Sequence, residues 1–338
     1  MTRSETLKVL ITSRVAAEFG QQLLAVGRKH GTDIRFAEYP GTVSTDADVA
    51  FFSRELFLGS SMNQYSSELQ GFFDLLEVQE NLRWIHLFSA GVDFAPVRRL
   101  LARGMTITTS SGANAIPMAQ SVLAAVLAHS RGMPRWIAAQ QRRQWEPAPL
   151  REWPVDLEGQ TMVVVGMGPI GREIARLSKF FGLKVVAVRR QATELPPNCD
   201  EVHGPESLSA LAPRTDWLVV AAPLTDETRG LVGDGILRLL PVHAKVINVG
   251  RGEIVDEVAL AARLQAGQLG GAYLDVFAHE PLSASSPLWD IPNVIVSPHS
   301  AALSKGNVGR QFGYFLSNLD AMLAGAPMRN VVSGTPLK

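Results

Sequence analysis

The feature that most constrains the fold is a glycine-rich loop set between a short apolar run and a helical pattern. Residues 161–165 read TMVVV, a β-branched run typical of a buried strand. The loop that follows has the spacing GxGxxG, a helix is predicted over 172–181, and a second apolar strand over 184–188. This order predicts a parallel sheet whose first loop binds the pyrophosphate of a dinucleotide at a helix N-terminus. The loop residues are therefore cofactor-binding candidates: Gly166, Met167, Gly168, Pro169, Ile170 and Gly171.

The end of the second strand bears on which dinucleotide is bound. An acidic residue there would bind the adenosine ribose 2′-hydroxyl of NAD. The chain instead has Arg189, 189 − 171 = 18 positions after the last glycine, followed by Arg190. Because guanidinium groups pair with phosphate through charge-assisted hydrogen bonds, the pair favours NADP(H), with NAD(H) still possible. The alternative is a pair of solvated arginines at a strand end.

The rest of the chain predicts two α/β domains, since 338 residues exceed the usual size of one hydrophobic core. A first series of strands is predicted at 8–12, 33–37, 48–53, 84–88 and 105–108, and a second at 161–165, 184–188, 217–221, 245–248, 271–274 and 294–296. Their alternation with helices predicts doubly wound parallel sheets in two Rossmann-like domains. Further helices are predicted at 117–131 and 305–323, and the last of them can return to the first domain.

Composition excludes several partners. Lys plus Arg and Asp plus Glu both total 32, so no net basic field favours a nucleic acid or an anionic membrane surface, and a small-molecule partner is expected.

The single cysteine, Cys199, excludes an intramolecular disulfide and stands in a polar stretch without an activating base. The apolar run 9–11 is too short for a signal peptide, so a cytoplasmic protein is expected. No histidine has metal-ligand spacing to other ligands, so no metal site is predicted.

Three polar residues follow strands of the second series, at the sheet edge where ligands of such folds bind. They are Arg251, Glu280 and His299. Reduction of a 2-keto acid needs a cation for the carboxylate and ketone and a proton donor for the developing alkoxide, and Arg and His supply these. Each residue alone also has a structural explanation: a turn cap, a surface ion pair or a buried ring. Their occurrence at three strand ends favours a catalytic role.

Around these residues the chain resembles the D-isomer-specific 2-hydroxyacid dehydrogenase family. The matching segments are the GMGPIG loop, AAPLTDETRGLV from position 221, INVGRGEIVDEVAL from 247, AYLDVFAHEPL from 272 and IPNVIVSPHSA from 291. The resemblance implies a flavodoxin-like substrate domain, 1–115 with 305–338, and a dinucleotide-binding Rossmann domain, 116–304. It also implies a homodimer that uses NAD(P)H to reduce a small 2-keto acid, such as glyoxylate or hydroxypyruvate, to the D-2-hydroxy acid, or catalyses the reverse oxidation.

The resemblance assigns roles to individual residues. It implies that Arg251 binds the substrate carboxylate and keto oxygen, that His299 is the acid/base, and that Glu280 orients and charges His299. In residues 89–93, Ala90 and Gly91 resemble the loop whose backbone N–H groups hold the substrate carboxylate. It also implies cofactor contacts, with Asp275 near the nicotinamide carboxamide: Pro223, Thr228, Val249, Gly250, Arg251, Asp275, His299 and Ala301.

The chain also departs from the family pattern. Arg189 and Arg190 replace the usual acid, and Gln120 stands where the family commonly has Glu. Formate dehydrogenases pair the active histidine with glutamine, so Glu280 weighs against formate as substrate. Trp145 is expected to pack rather than to reach a neighbouring subunit's substrate pocket, and His279 is expected to face solvent. Substrate choice is expected to lie in first-domain loops such as 53–63.

The alternative to an enzyme is a binding protein that senses a dinucleotide, like the corepressors of this fold.

Overall fold

The computed structural model describes residues 6–41, 46–60, 64–92, 94–150 and 153–332. The chain divides into two compact units. Unit 1 comprises residues 1–113 and 304–338, and unit 2 comprises residues 114–303. Each unit contains one β-sheet with helices on both of its faces.

Unit 1 contains a six-stranded sheet in the order β13-β5-β4-β3-β1-β2. The order β2-β1-β3-β4-β5 is the flavodoxin-like arrangement of parallel strands, and only β13 runs antiparallel, against β5. The strands are β1 (Thr6–Thr12), β2 (Asp33–Tyr39), β3 (Val49–Phe52), β4 (Trp84–Leu87), β5 (Thr106–Thr109) and β13 (Val331–Val332). The helices are α1 (Ser13–His30), α2 (Ser67–Glu77), α3 (Ala95–Ala102) and α10 (Asn307–Leu323).

Neighbouring residues of one strand point to opposite faces of the unit 1 sheet. Phe52 packs with α2 and α3, whereas Phe51 packs with α1 and α10 and stacks on Phe315, with ring centroids 5.1 Å apart. All four residues of β3 are apolar and buried, as expected for a strand that helices cover on both faces of the sheet. The last helix of the chain therefore completes the core of the first unit.

Unit 2 contains a seven-stranded, all-parallel sheet in the order β12-β11-β10-β9-β6-β7-β8. Its strands are β6 (Thr161–Val165), β7 (Lys184–Val188), β8 (Glu201–His203), β9 (Trp217–Val220), β10 (Lys245–Asn248), β11 (Gly271–Leu274) and β12 (Val294–Val296). Its helices are α4 (Ala115–Ser130), α5 (Met133–Gln141), α6 (Pro169–Phe180), α7 (Leu208–Leu211), α8 (Asp234–Leu237) and α9 (Glu257–Gln265). The order reverses between β6 and β9, which is where a Rossmann sheet binds its dinucleotide.

The core of unit 2 also alternates along its strands. Val163 and Val165 belong to the cluster that also contains residues of α7, α8 and α9, whereas Met162 and Val164 pack with α4 and α6. All four side chains are buried. The helices thus cover both faces of the sheet and leave the carboxyl ends of its strands for a ligand.

The predicted fold class, two Rossmann-like α/β domains with doubly wound parallel sheets, is confirmed. The eleven predicted strands all form, and their ends differ from the predicted ones by at most two residues. Strands β8 and β13 were not predicted, because EVH has one apolar residue and VV is too short to show alternation. Helix α6 begins at Pro169 rather than at residue 172, since Pro is favoured in the first helical turn. In the described part of the chain, no helix is long and apolar enough to cross a membrane.

Candidate active site

The glycine-rich loop has the shape expected of a dinucleotide cradle. Gly166 has φ 99°, and a Cβ there would lie 2.6 Å from the Ala222 backbone; a Cβ on Gly171 would lie 2.0 Å from the Gly166 carbonyl oxygen. A Cβ on Gly168 would meet nothing within 4 Å. Gly166 and Gly171 are thus required by packing, whereas Gly168 borders open space at the N-terminus of α6, where backbone N–H groups favour a phosphate. The residues present fit a dinucleotide pyrophosphate.

Met167 and Ile170 contribute backbone rather than side chain to this loop. The Met167 side chain is buried in the core between the sheet and α4 and α6, and Ile170 packs against the same cluster. The Met167 carbonyl oxygen accepts a 3.1 Å hydrogen bond from Arg172 Nε. The side chain of Arg172 thereby stabilises the turn into α6.

Arg189 and Arg190 lie directly after β7, next to the glycine loop. The N–H of Gly166 donates to Val188 O (2.9 Å), and the N–H of Arg189 donates to His203 O (3.0 Å), so β7 leads from the loop to the two arginines. Arg189 is half-buried and Arg190 exposed. A hydrogen bond from Thr225, and to a lesser extent the Arg190 charge, hold the pKa of Glu227 below its usual value. Arg190 therefore has a carboxylate in its surroundings.

The loops after β6, β9 and β10 meet around Ala222. A Cβ on Gly166 or on Gly250 would lie within 2.6 to 2.7 Å of its backbone, and the N–H of Val249 donates to Val220 O (3.0 Å). The candidates Pro223 and Thr228 belong to one turn, closed by a 2.7 Å hydrogen bond from Thr228 Oγ1 to Pro223 O. The predicted cofactor residues on these three loops thus share one edge of the sheet.

Arg251 lies in extended backbone just before the short 3-10 helix Gly252–Ile254. Asn248 holds the turn before it, because its side chain accepts from Gly250 N–H and donates to Arg251 O, each at 3.0 Å. A Cβ on Gly252 would lie 1.9 Å from the carbonyl carbon of Phe277, so the loops after β10 and β11 pack backbone to backbone. This packing brings Arg251 to the loop that carries Glu280.

Glu280 and His299 form an ion pair, with His299 Nδ1 2.9 Å from Glu280 Oε2. The other carboxylate oxygen accepts a 3.2 Å hydrogen bond from the N–H of Phe277. The Glu280 side chain is 12% exposed and that of His299 is 40% exposed. Burial raises the pKa of Glu280, but the hydrogen bond and charge of His299, the Phe277 N–H and the charge of Arg251 outweigh it, so this pKa lies below its ordinary value. Glu280 is therefore a carboxylate at neutral pH, and Arg251 is close enough to act on it.

Asp275 organises the loop that carries His299. Its Oδ1 atom accepts hydrogen bonds from the hydroxyl of Ser297 (2.5 Å) and the N–H groups of Ser300 (2.8 Å) and Ala301 (2.9 Å). His299 has φ 50°, a left-handed conformation uncommon outside glycine, and its N–H donates to Asp275 O (2.9 Å). The structure therefore gives Asp275 a role in holding the histidine loop, beside the carboxamide contact that the resemblance implies.

In unit 1, Ala90 and Gly91 belong to the turn after β4. The Ser89 hydroxyl donates to Gly91 O (2.9 Å), and the N–H of Ser110 donates to Ser89 O (3.1 Å). These bonds shape the turn that contains the Ala90 and Gly91 N–H groups. Asp93, the last residue of the matching stretch, lies outside the described residues.

Several residues considered in the sequence have surroundings that bear on their roles. Burial, with a smaller contribution from Asp200, raises the pKa of the Cys199 thiol to about 11, which disfavours the nucleophilic thiolate. His279 is exposed, as expected. Trp145 is 97% exposed, so the expectation that it packs is wrong for the chain taken alone. Within the described ranges, no group of three His, Cys, Asp or Glu side chains forms a metal site.

Sequence reasoning missed the residues that support the site. Asn248 holds the Arg251 turn, and Ser297, whose Oγ also lies 2.9 Å from the Tyr273 hydroxyl oxygen, joins the histidine loop to Asp275. A polar residue at the carboxyl end of an apolar strand, as in VIN and VIVS, is the signal that would have found Asn248 and Ser297.

Comparison with known proteins agrees with this geometry. Residues 123–301 match the family model described as the D-isomer specific 2-hydroxyacid dehydrogenase, NAD binding domain. The chain is 32% identical over 299 residues to a glyoxylate/hydroxypyruvate reductase B of Klebsiella pneumoniae, covering 87% of this chain and 89% of the relative. It is also 32% identical over 275 residues to a glyoxylate reductase of Aeropyrum pernix, covering 78% and 80%.

Solved structures give the same result. A D-isomer specific 2-hydroxyacid dehydrogenase from Xanthobacter autotrophicus, in complex with NADPH and MES, is 29% identical with a TM-score of 0.75 and coverage of 97% and 98%. An NADPH-dependent glyoxylate/hydroxypyruvate reductase from Sinorhizobium meliloti, in complex with NADP and sulfate, is 25% identical with a TM-score of 0.75 and coverage of 99% and 100%. The chain belongs to the D-isomer-specific 2-hydroxyacid dehydrogenase family.

Proposed function

We propose that this protein reduces a small 2-keto acid of the glyoxylate and hydroxypyruvate type to the D-2-hydroxy acid with NADPH. The observation that carries the proposal is the Glu280–His299 ion pair, 2.9 Å between Oε2 and Nδ1, at the same edge of the unit 2 sheet as the glycine loop. Relatives that bear the names of glyoxylate and hydroxypyruvate reductases support the substrate class. A dinucleotide-sensing binding protein, the alternative considered for this fold, is not favoured by these relatives.

The residues of the site divide the chemistry between them. A reduced nicotinamide bound at this edge supplies the hydride for the keto carbon. Because Glu280 occupies Nδ1 of His299, the proton for the keto oxygen comes from Nε2, and the carboxylate stabilises the charged imidazole that donates it. The Arg251 guanidinium binds the substrate carboxylate and polarises the ketone. Hydride and proton together convert the ketone to the alcohol.

Unit 1 contains a second candidate for binding a substrate carboxylate. The Ala90 and Gly91 N–H groups belong to a turn held by the Ser89 and Ser110 hydrogen bonds, and such backbone donors are preorganised for an anion. Unit 1 is then the substrate domain and unit 2 the dinucleotide domain. The homodimer implied by the family and the cytoplasmic location expected from the sequence remain predictions.

The preference for NADPH rests on Arg189. It follows β7 beside the glycine loop, at the place where a carboxylate would bind the ribose 2′-hydroxyl of NAD, and a half-buried guanidinium suits the 2′-phosphate. Two solved relatives contain NADPH or NADP, which supports this assignment. Equal or greater kcat/KM with NADH would contradict it.

The proposal is tested by following the absorbance of the reduced nicotinamide with purified protein, NADPH or NADH, and glyoxylate, hydroxypyruvate, pyruvate or phenylpyruvate. Oxidation of the cofactor is expected with at least one small 2-keto acid. The variant His299→Ala should lower kcat by about 10²- to 10⁴-fold, the range of general acid catalysis, while the Kd for NADPH changes little. His279→Ala is the matched control, because His279 is an exposed histidine directly before Glu280 in the chain. Retained turnover in His299→Ala would refute the role of His299.

A further inference from the structure

A polar ring lies buried between aromatic side chains in the sheet of unit 1. His86 stands in β4 and is fully buried, and its ring centroid lies 5.9 Å from that of Phe51 and 5.8 Å from that of Phe315. A phenylalanine would suit these surroundings, whereas buried polar atoms cost free energy unless they form hydrogen bonds. The hydrogen bonds of its two ring nitrogens are therefore what distinguishes histidine from phenylalanine at this position.

The hydrogen-bond partners of His86 define its tautomer. Ser110 Oγ donates to Leu87 O (3.0 Å), and because a hydroxyl has one proton, its oxygen accepts from His86 Nε2 at 2.9 Å. Burial lowers the pKa of His86 to about 3, so the ring is neutral and its Nδ1 accepts from Thr108 Oγ1 at 2.7 Å. Thr108 Oγ1 in turn accepts from Trp84 Nε1 (2.8 Å). Each proton in this series of hydrogen bonds thus has an acceptor, from the indole to the Leu87 carbonyl.

The series ends at the turn that follows β4. The N–H of Ser110 donates both to Leu87 O (3.0 Å) and to Ser89 O (3.1 Å). The Ser89 hydroxyl then donates to Gly91 O (2.9 Å). Ser110 therefore contacts the His86 ring with its side chain and the turn with its N–H, so the ring fixes the residue that holds the turn.

We propose that His86 is a positioning residue for the substrate carboxylate and that it acts through Ser110. The Nε2–H of the ring fixes Ser110, and Ser110 fixes the turn 89–91, whose N–H groups bind the carboxylate in the proposed function. The proposal rests on that function and adds a residue to its substrate site. Backbone donors bind an anion best when their orientation is set beforehand, because no free energy is then lost in ordering them.

The test replaces the ring by two amides of different length. The glutamine amide N–H reaches the place of Nε2 and can still donate to Ser110, whereas the asparagine amide reaches only the place of Nδ1. With NADPH and glyoxylate or hydroxypyruvate, His86→Asn should raise the KM for the keto acid about tenfold, the upper effect of one neutral hydrogen bond. The kcat and the Kd for NADPH should change little, because the carboxylate is bound equally in the ground and transition states. His86→Gln should raise this KM at most about threefold.

Ser110→Ala is a second variant, which keeps the ring but removes its acceptor, and it should raise the KM for the keto acid as His86→Asn does. Hydrogen exchange of the backbone amide of residue 110 gives a readout that does not depend on turnover. This amide should exchange faster in His86→Asn and Ser110→Ala, because its contact with the turn opens more often, and at the unmodified rate in His86→Gln.

Leu23→Ala is the control for lost core packing, because Leu23 is a fully buried residue of α1 in the same cluster as Trp84. Its KM for the keto acid and its exchange at residue 110 should equal those of the unmodified protein. A KM or an exchange rate in His86→Asn within twofold of the unmodified value, or equal changes in Leu23→Ala, overturns the proposal while 2-keto acid reduction stands. Failure of the unmodified protein to reduce any 2-keto acid, glyoxylate included, overturns the proposed function as well.

Discussion

The N–H of Ala301 donates a 2.9 Å hydrogen bond to Oδ1 of Asp275, tying the residues that follow His299 to the end of β11. The same oxygen accepts from Ser297 and Ser300, so one buried carboxylate oxygen holds the loop on both sides of the histidine. This arrangement explains how His299 keeps a left-handed backbone conformation next to Glu280. The position of the proton donor thus depends on a residue that does not contact it through its side chain.

Asp275→Ala should therefore reduce both stability and catalysis. Loss of the carboxylate leaves buried N–H donors without an acceptor, at a cost of about 1–3 kcal/mol each, so the free energy of unfolding should fall by about 3 kcal/mol. We expect kcat to fall at least tenfold as His299 loses its position. Asp275→Asn keeps one acceptor oxygen and should be milder in both respects, and the exposed Asp290→Ala should change neither. Urea unfolding and steady-state kinetics measure these effects. Equal losses in Asp275→Asn and Asp275→Ala would contradict the loop-holding role.

The ion pair itself is tested by Glu280→Gln. Glutamine can still accept the hydrogen bond from His299 Nδ1, but it lacks the charge that stabilises the protonated imidazole. We expect kcat to fall about 10- to 100-fold at pH 7, with a small change in the Kd for NADPH measured by fluorescence. Glu257→Gln is a control on a neighbouring loop contact, since Glu257 accepts a 3.2 Å hydrogen bond from the N–H of Ala278. A Glu280→Gln enzyme with full kcat would show that orientation alone suffices.

Much of the fold and part of the site could be predicted from the sequence. The eleven predicted strands were visible as β-rich or apolar runs, and the order of glycines, strand and helix located the loop at 166–171. The supporting contacts of Asn248 and Ser297 were not, because a strand pattern does not show where the polar side chain at its end will bond. Asn248 bonds the backbone of its own turn, at Gly250 and Arg251, whereas Ser297 bonds the Asp275 carboxylate at the end of the neighbouring strand. Nor does sequence spacing show which glycines are sterically required: Gly166 and Gly168 belong to one motif, yet only the first abuts backbone.

That difference between the two glycines gives a paired prediction. In Gly166→Ala the new Cβ would lie 2.6 Å from the backbone of Ala222 at a φ of 99°, so the melting temperature should fall by several degrees. In Gly168→Ala the Cβ enters open space at φ −71°, which alanine adopts readily, so the melting temperature should hold. The same methyl group lies where the pyrophosphate would approach, and the Kd for NADPH should rise about tenfold or more. Unchanged NADPH affinity in Gly168→Ala would argue against a phosphate site at this loop.

Cofactor choice is tested with the arginine pair. Arg189→Ala should raise the KM for NADPH about 10- to 100-fold and leave that for NADH almost unchanged, since a charge-assisted pair with the 2′-phosphate is lost. Arg190→Ala is the matched control, and a smaller effect is expected because Arg190 is exposed and has Glu227 in its surroundings. Kinetics with both cofactors measure the change in preference. If Arg190→Ala has the greater effect, the phosphate contact belongs to Arg190.

Acid should destabilise the protein through two buried histidines. Burial lowers the pKa of His86 to about 3 and that of His129 to about 4, and His86 is held neutral between Thr108 Oγ1 (2.7 Å) and Ser110 Oγ (2.9 Å). Because both folded pKa values lie below the ordinary 6.5, the unfolded chain binds more protons, so stability is complete above pH 6.5 and decreases as the pH falls towards 4 and 3.

Each histidine should cost at most about 1.4 kcal/mol per pH unit in that range, or about 2 kcal/mol between pH 6.5 and pH 5. His86→Gln replaces the ring by an amide that does not titrate, so the stability of this variant should decrease less between pH 6.5 and pH 5. The variant should be less stable than the unmodified protein at pH 8, because a buried ring is lost. Exposed His279→Gln is the control and should follow the unmodified protein. Melting temperatures at pH 8, 6.5 and 5 give the slopes. Parallel slopes for His86→Gln and the unmodified protein would show that protonation of His86 does not contribute to acid unfolding.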